Sequence, residues 1–214
     1  MNSSALTNLE KQTAEFVTKL YESPDLPHYP YHNLQHTLGV VAHSREIATH
    51  YGLDAVDVFV VVVASWFHDI GHLYGPMPGH EERGVTIMRE HLAHLPADVS
   101  AQLPAELSAE LPADLLTAIG DCIMATKLPA HPVPLLHKII CDADTYHLGT
   151  PLFLQTDPLV RQEVEMRTGR TFPNWRQRTL DLLLQHHFFT DYCQGLLDAG
   201  KAKNIAWLRE QIGG

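Results

Sequence analysis

The chain is short of basic charge, of cysteine, of long apolar runs and of hairpin turns, and each shortage closes off a class of function. Lys and Arg total 15 against 25 Asp and Glu, a formal net charge of -10. A phosphate backbone would be repelled, which argues against nucleic acid as a partner. Three cysteines, Cys122, Cys141 and Cys193, are too few and too widely spaced for a disulfide frame or a zinc knuckle. They read as buried free thiols of a reducing compartment. The apolar run over residues 58–67 is too short to cross a bilayer, and residues 1–22 lack the basic start and apolar core of a signal peptide. Cytoplasm is therefore the expected location, with no membrane partner. No Asn-Gly or Asp-Gly pair marks a hairpin.

What is present is helical period. Leu6, Leu9, Thr13, Phe16, Val17 and Leu20 recur at threes and fours behind a Ser3-Ser4 cap, which predicts a first helix. A Pro-rich link over residues 23–30 leads to a second helix over about 33–51, ended by Gly52. Asp54 caps a third, expected to run to about His72. Its Val58-Phe59-Val60-Val61-Val62-Val63 core favours a strand on local propensity, but a central helix buried all round looks the same. Further helices are expected over 79–94, to about 125, and over 134–146, 158–168, 173–189, 191–199 and 202–212. Three eight-residue copies, starting at Leu95-Pro96, Leu103-Pro104 and Leu111-Pro112, are too few for a solenoid. They read as a surface excursion over about 95–112. The expectation is an all-α fold with residues 1–214 in one domain.

Histidine is the residue in excess, with 15 in the chain. Most of them, such as His43, His50, His91, His94 and His186, are expected on the surface or in grooves. Others fall in an ordered series: Pro30-Tyr31-His32-Asn33-Leu34-Gln35-His36, then His68-Asp69-Ile70-Gly71-His72, then Cys141-Asp142-Ala143-Asp144. Imidazole and carboxylate suit a borderline or hard divalent cation and leave positions open for water. Neighbours on a helix point about 100° apart, so His68 and Asp69 share an ion only if it sits close against the helix. His68 and His72 lie on one helical face. Of Asp142 and Asp144 only one faces inward with ease, and spacing does not say which.

In that order, His, His-Asp, Asp, the chain resembles the HD superfamily of metal-dependent phosphohydrolases. The resemblance to small bacterial predicted HD phosphohydrolases runs from about Tyr29 to the C-terminus. A second, to the cyclic-nucleotide phosphodiesterase catalytic domain, runs from Pro30 to about Pro151. The family register implies His36, His68, Asp69 and Asp144 as metal ligands around an ion at the centre of the helical bundle. The phosphodiesterase pattern implies His32 as a proton donor, matching its PYHN motif, and His72 as the second histidine of HDxxH. Ile123-Met124-Ala125-Thr126-Lys127-Leu128-Pro129-Ala130-His131 resembles that family's I-A-T-x-x-x-x-H segment. No counterpart of its purine-selecting glutamine is found, so cyclic-nucleotide specificity does not follow.

Met77-Pro78-Gly79-His80-Glu81-Glu82-Arg83-Gly84 resembles the M-x-x-H-x-x-x-G element of dinuclear HD proteins. His80 reads either as the holder of a second metal or as a helix-start residue. His131 reads either as a partner to it or as a loop histidine. Lys127 reads as a phosphate contact or as a solvated lysine at a helix end. The resemblance implies one or two divalent ions, with Mn, Mg, Fe, Zn and Ni not distinguished. The expected activity is hydrolysis of a phosphate ester of a small molecule, with a nucleotide as the first choice, by a metal-activated water. The alternatives are a di-iron oxygenase of the HD type and a non-catalytic metal and nucleotide sensor. The substrate and the oligomeric state are left open.

Overall fold

The β-branched run over residues 58–63 is helical. It lies in α3 (Ala55–Phe67), which Asp54 caps by accepting hydrogen bonds from Val56 N and Asp57 N, both at 2.9 Å. Every residue from Phe59 to Phe67 is buried. Local strand propensity yields here because a helix satisfies its own backbone while burying all of its faces. The computed structural model describes residues 3–94 and 111–213; the expected excursion over 95–112 lies almost wholly outside them.

Around α3 stand α1 (Ser3–Tyr21), α2 (Leu34–His50), α4 (His80–Ala93), α5 (Ala113–Ala125) and α6 (Leu135–Asp144), each packed against it. Then come α7 (Phe153–Thr168), α8 (Trp175–Gln185) and α9 (Asp191–Gly213). Two 3-10 turns, Ile70–Tyr74 and Tyr146–Gly149, complete an all-α architecture with no strand among the described residues. The main core is made of α3 and its neighbours, with Phe67, Ile47, Ile119, Ile123, Ile139 and Ile140 fully enclosed. Burying side chains of this kind contributes about 1.5–3 kcal/mol each. A smaller cluster of Leu148, Phe153, Leu180, Leu183 and Leu208 joins the last three helices. All three cysteines are buried and free. The apolar stretch Ala55–Tyr74 is long enough to cross a membrane, but 83% of its most apolar window is buried, as befits a core helix.

Five element boundaries differ from the sequence expectation, among them the end of α8, which stops at Gln185 where the helix was expected to run to residue 189. The helix of α1 is already running at Ser3, so Ser3-Ser4 lies within its first turn. Helix α3 stops at Phe67 and the chain continues as the 3-10 turn Ile70–Tyr74, so His68 and His72 do not share a helical face. Helix α7 begins at Phe153 with Pro158 inside it. Asp157 does not start a helix; its Oδ1 accepts from Trp175 Nε1 and Thr179 Oγ1, both at 2.8 Å, tying α7 to α8. Finally, α9 is one helix where two were expected. Gly200 is a packing residue there, not a breaker: a methyl group on it would overlap the Gly149 carbonyl, where α9 crosses the turn that follows Asp144.

That crossing gives a test. Gly200→Ala should lower unfolding free energy by about 1–3 kcal/mol, the scale of overpacking. Gly195→Ala, in the same helix with no atom within 4 Å of the added carbon, should raise it by roughly 0.5–1 kcal/mol. Urea unfolding of the two variants measures both, and equal effects would contradict the close crossing.

Candidate metal centre

Helix packing brings the ordered series together. Asn33 caps α2, its Oδ1 accepting from Gln35 N at 2.9 Å and His36 N at 3.1 Å, and so sets His36 on the first turn facing α3 and α6. His68 and Asp69 follow the last residue of α3 and lead into the 3-10 turn Ile70–Tyr74. The two adjacent side chains meet, His68 Nε2 lying 3.1 Å from Asp69 Oδ2. Gly71 and Gly84 bring α4 close: a methyl group at Gly71 would overlap the His80 carbonyl, and one at Gly84 would press on the Phe67 carbonyl. His80 is thereby held beside Asp69.

His36, His68, Asp69 and Asp144 each offer a ligand atom, all within 4.8 Å of one another. His36 Nε2 lies 3.2 Å from Asp69 Oδ2 and 3.1 Å from Asp144 Oδ1. His68 Nε2 lies 3.1 Å from Asp69 Oδ2 and 3.3 Å from His36 Nε2. His68 Nδ1 donates to the Ser65 carbonyl at 2.8 Å, which leaves Nε2 with its lone pair toward the cluster. Asp142 is elsewhere. Its carboxylate accepts from Phe189 N (2.7 Å), Thr190 N (2.8 Å) and Thr190 Oγ1 (2.6 Å), anchoring the start of α9.

The electrostatics fit a cation. Burial alone lowers the pKa of His36 and His68, but Asp144 and Asp69 outweigh it and both end raised. Burial works against the charge on Asp69 and Asp144, yet the imidazoles hold both carboxyls below their ordinary range. Asp69 Oδ2 is nevertheless buried without a hydrogen-bond partner. A buried carboxylate oxygen of that kind is costly unless something positive meets it. The donor set, two imidazoles and two carboxylates, is one that a divalent ion accepts.

A second group lies on the other side of Asp69. His32, Asp69 and His72 also offer atoms within 4.8 Å of one another. His80 Nε2 is 3.5 Å from Asp69 Oδ1, and His80 Nδ1 donates to the Met77 carbonyl at 2.9 Å. The His72 ring stacks on His80 at 3.9 Å and tilts against His32 at 4.2 Å. Burial pushes the His72 pKa down to about 2, with His32, His80 and Arg167 acting in the same direction against the opposing pull of Asp69.

Two residues of this surround had no signal in the sequence motifs: Glu163 and Arg167, one turn apart on α7. Glu163 is fully buried and accepts from Tyr31 N (3.1 Å), His32 N (3.0 Å), His32 Nδ1 (2.6 Å) and Arg167 Nη1 (3.0 Å). Against burial, the His32 and Arg167 partners bring its pKa down to about 2. His131 and Lys127 belong to neither group. His131 is exposed on the segment between α5 and α6, and Lys127 is exposed and ion-paired with Glu82 on α4.

Residues 33–149, more than half of the chain, match the family model of the HD domain. The chain belongs to the HD domain family. The crystal structure of a predicted HD superfamily hydrolase from an uncultured Thermotogales bacterium shares the fold. Its sequence is 16% identical with a TM-score of 0.56, over 95% of this chain and 91% of that one. No curated protein matches the sequence. His36, His68, Asp69, His72, His80 and Asp144 lie inside the HD segment, whereas Glu163 and Arg167 come from beyond it.

Glu163 yields a pH prediction. Its folded pKa is depressed, so its contribution to stability is complete above the ordinary glutamate range of about 4.3 and fades as pH falls through about 2. Wild type should therefore exceed Glu163→Gln in unfolding free energy by about 3–5 kcal/mol at neutral pH, the cost of breaking a buried ion pair. The gap should narrow steadily below about pH 4. A gap independent of pH would contradict a charged Glu163.

Proposed function

We propose that this HD domain is a metal-dependent phosphohydrolase that cleaves a phosphate ester of a small molecule, with a nucleotide as the first candidate. The observation that carries the reading is the buried Asp69 Oδ2, which makes no hydrogen bond and has His36 Nε2 and His68 Nε2 at 3.2 and 3.1 Å, with Asp144 in the same cluster. These four residues would hold one divalent ion. Asp69 Oδ1 and His80 Nε2, 3.5 Å apart, would be the residues to hold a second. Such ions supply a water of lowered pKa and screen phosphoryl oxygens. The chain's own groups do the rest.

His32 stands across Asp69 from the four-residue cluster, with Nδ1 committed to the Glu163 carboxylate. The carboxylate fixes the ring, leaving the other ring nitrogen to deliver a proton to the leaving oxygen. His72, whose pKa is held down to about 2, stays neutral and cannot be that acid. The formal net charge of -10 repels a long polyanion, whereas bound cations would locally favour a small one. The second reading, a di-iron oxygenase, draws support from His80 alone; a His32–Glu163 pair fits proton delivery and has no evident use in that chemistry. Lys127 as a phosphate contact and His131 as a further ligand draw no support from their exposed positions.

Two tests follow. Asp69→Ala and Asp144→Ala should lose the metal found by elemental analysis in the wild-type protein. Asp142→Ala should keep the metal and lose at least ~2 kcal/mol of stability, since three buried hydrogen bonds to a carboxylate vanish. The reverse pattern would overturn the ligand assignment. In a screen of phosphate release from cyclic and linear nucleotides and sugar phosphates, His32→Ala should retain metal while its rate falls ~10²–10⁴-fold. The loss should shrink on p-nitrophenyl esters, whose leaving group needs no proton. A uniform loss on every ester would remove the acid role.

A further inference from the structure

Of the imidazoles around Asp69, His72 is bonded differently from the rest. His68 and His80 each donate from Nδ1 to a backbone carbonyl, Ser65 and Met77 respectively, so each presents a lone pair on Nε2. His72 Nδ1 instead faces Arg167 Nη1 at 2.8 Å. A guanidinium has donors only and does not lose its protons in a protein. Nδ1 must therefore accept, and the ring hydrogen must sit on Nε2. That nitrogen is buried without a hydrogen-bond partner and lies 3.7 Å from Asp69 Oδ1. An N–H so placed cannot ligate a metal, and it is too long and unpaired to be a settled structural contact.

We propose that Arg167 is a positioning residue that locks His72 in the Nε2–H tautomer, making His72 a hydrogen-bond donor to a bound phosphoryl oxygen and not a metal ligand. The arrangement around Arg167 is built for this. Its guanidinium also donates from Nη1 to Glu163 at 3.0 Å and from Nη2 to the Gly75 carbonyl at 3.0 Å, and it lies over the Tyr29 ring at 4.2 Å from the centroid. One side chain thus holds His72 directly and His32 through Glu163, so two imidazoles with different tasks share one brace. The His32, Asp69 and His72 group, which by distance could hold an ion, thereby loses His72 as a ligand. The site beside Asp69 Oδ1 is left with a donor where a third ligand would otherwise stand. The phosphoryl acceptor rests on the phosphohydrolase reading; the tautomer does not.

Nitrogen-15 NMR of the imidazole rings, on metal-free protein and on protein loaded with diamagnetic zinc, reads the tautomer, with His72→Gln identifying the His72 signals. The expected result is a hydrogen on Nε2 and none on Nδ1 in both forms. Arg167→Lys keeps the charge opposite Glu163 but offers a single ammonium in place of the fork. It should leave metal content unchanged, mix the His72 tautomers, and weaken binding of inorganic phosphate to the loaded protein by roughly threefold to tenfold, the scale of one hydrogen bond. A merely structural Arg167 would not move the tautomer. His72→Gln, which keeps an N–H near the same place, should retain the full metal load. A hydrogen on Nδ1 in the wild-type protein, or metal loss in His72→Gln, would overturn the proposal. If the tautomer and metal load are as expected but phosphate does not bind, the lock is supported and the phosphohydrolase reading falls with its acceptor.

Discussion

Asp69 is a carboxylate enclosed by protein with one oxygen left without a hydrogen-bond partner, and the surrounding architecture makes sense as the means of holding it there. A buried charge is tolerated only where opposite charge or good donors meet it. Here the imidazoles of His36 and His68 meet Oδ2, while His72 and His80 approach Oδ1. His36 comes from α2, His68 and His72 flank Asp69 itself, and His80 starts α4, so these helices must arrive at fixed angles for the carboxylate to be matched on both sides.

The central helix supplies both the rigidity and the ending that this requires. A helix enclosed from Phe59 to Phe67 cannot rotate without disturbing five neighbours. It stops at Phe67, and the 3-10 turn that follows swings Asp69 and His72 to face one another across a short distance. Close approach of α4 over Gly71 and Gly84 adds His80. The last brace comes from α7, whose Glu163 and Arg167 reach across to His32 and His72. The HD segment thus contains the cluster, and the chain beyond it sets the orientation of two of the surrounding rings.

Much of this was legible in the sequence. The caps Asn33 and Asp54, the helical period and the continuous apolar run predicted α2 and α3, and the order of His36, His68-Asp69 and Asp144 pointed to residues that now lie within 4.8 Å. The resemblance chose Asp144 over Asp142; in the fold Asp144 lies in the four-residue cluster, while Asp142 bonds Thr190 and Phe189. The end of α3 was not legible, because Ile70-Gly71-His72 carries no strong stop signal and the glycine there serves a contact with α4. Helices expected separately over 191–199 and 202–212 are one, and Gly200 inside it is a packing residue against the Gly149 carbonyl. Glu163 and Arg167 were invisible for a simpler reason: a Glu and an Arg four apart read as an ordinary exposed helix pair, and only tertiary packing buries them.

The central claim is that His36, His68, Asp69 and Asp144 enclose a divalent ion. Anomalous diffraction from crystals grown with zinc, collected at the metal edge, tests it without any assumption about substrate. The account predicts a peak about 2.0–2.2 Å from His36 Nε2, His68 Nε2, Asp69 Oδ2 and Asp144 Oδ1. A fully loaded crystal with its anomalous density elsewhere, or with none among these four side chains, would contradict it.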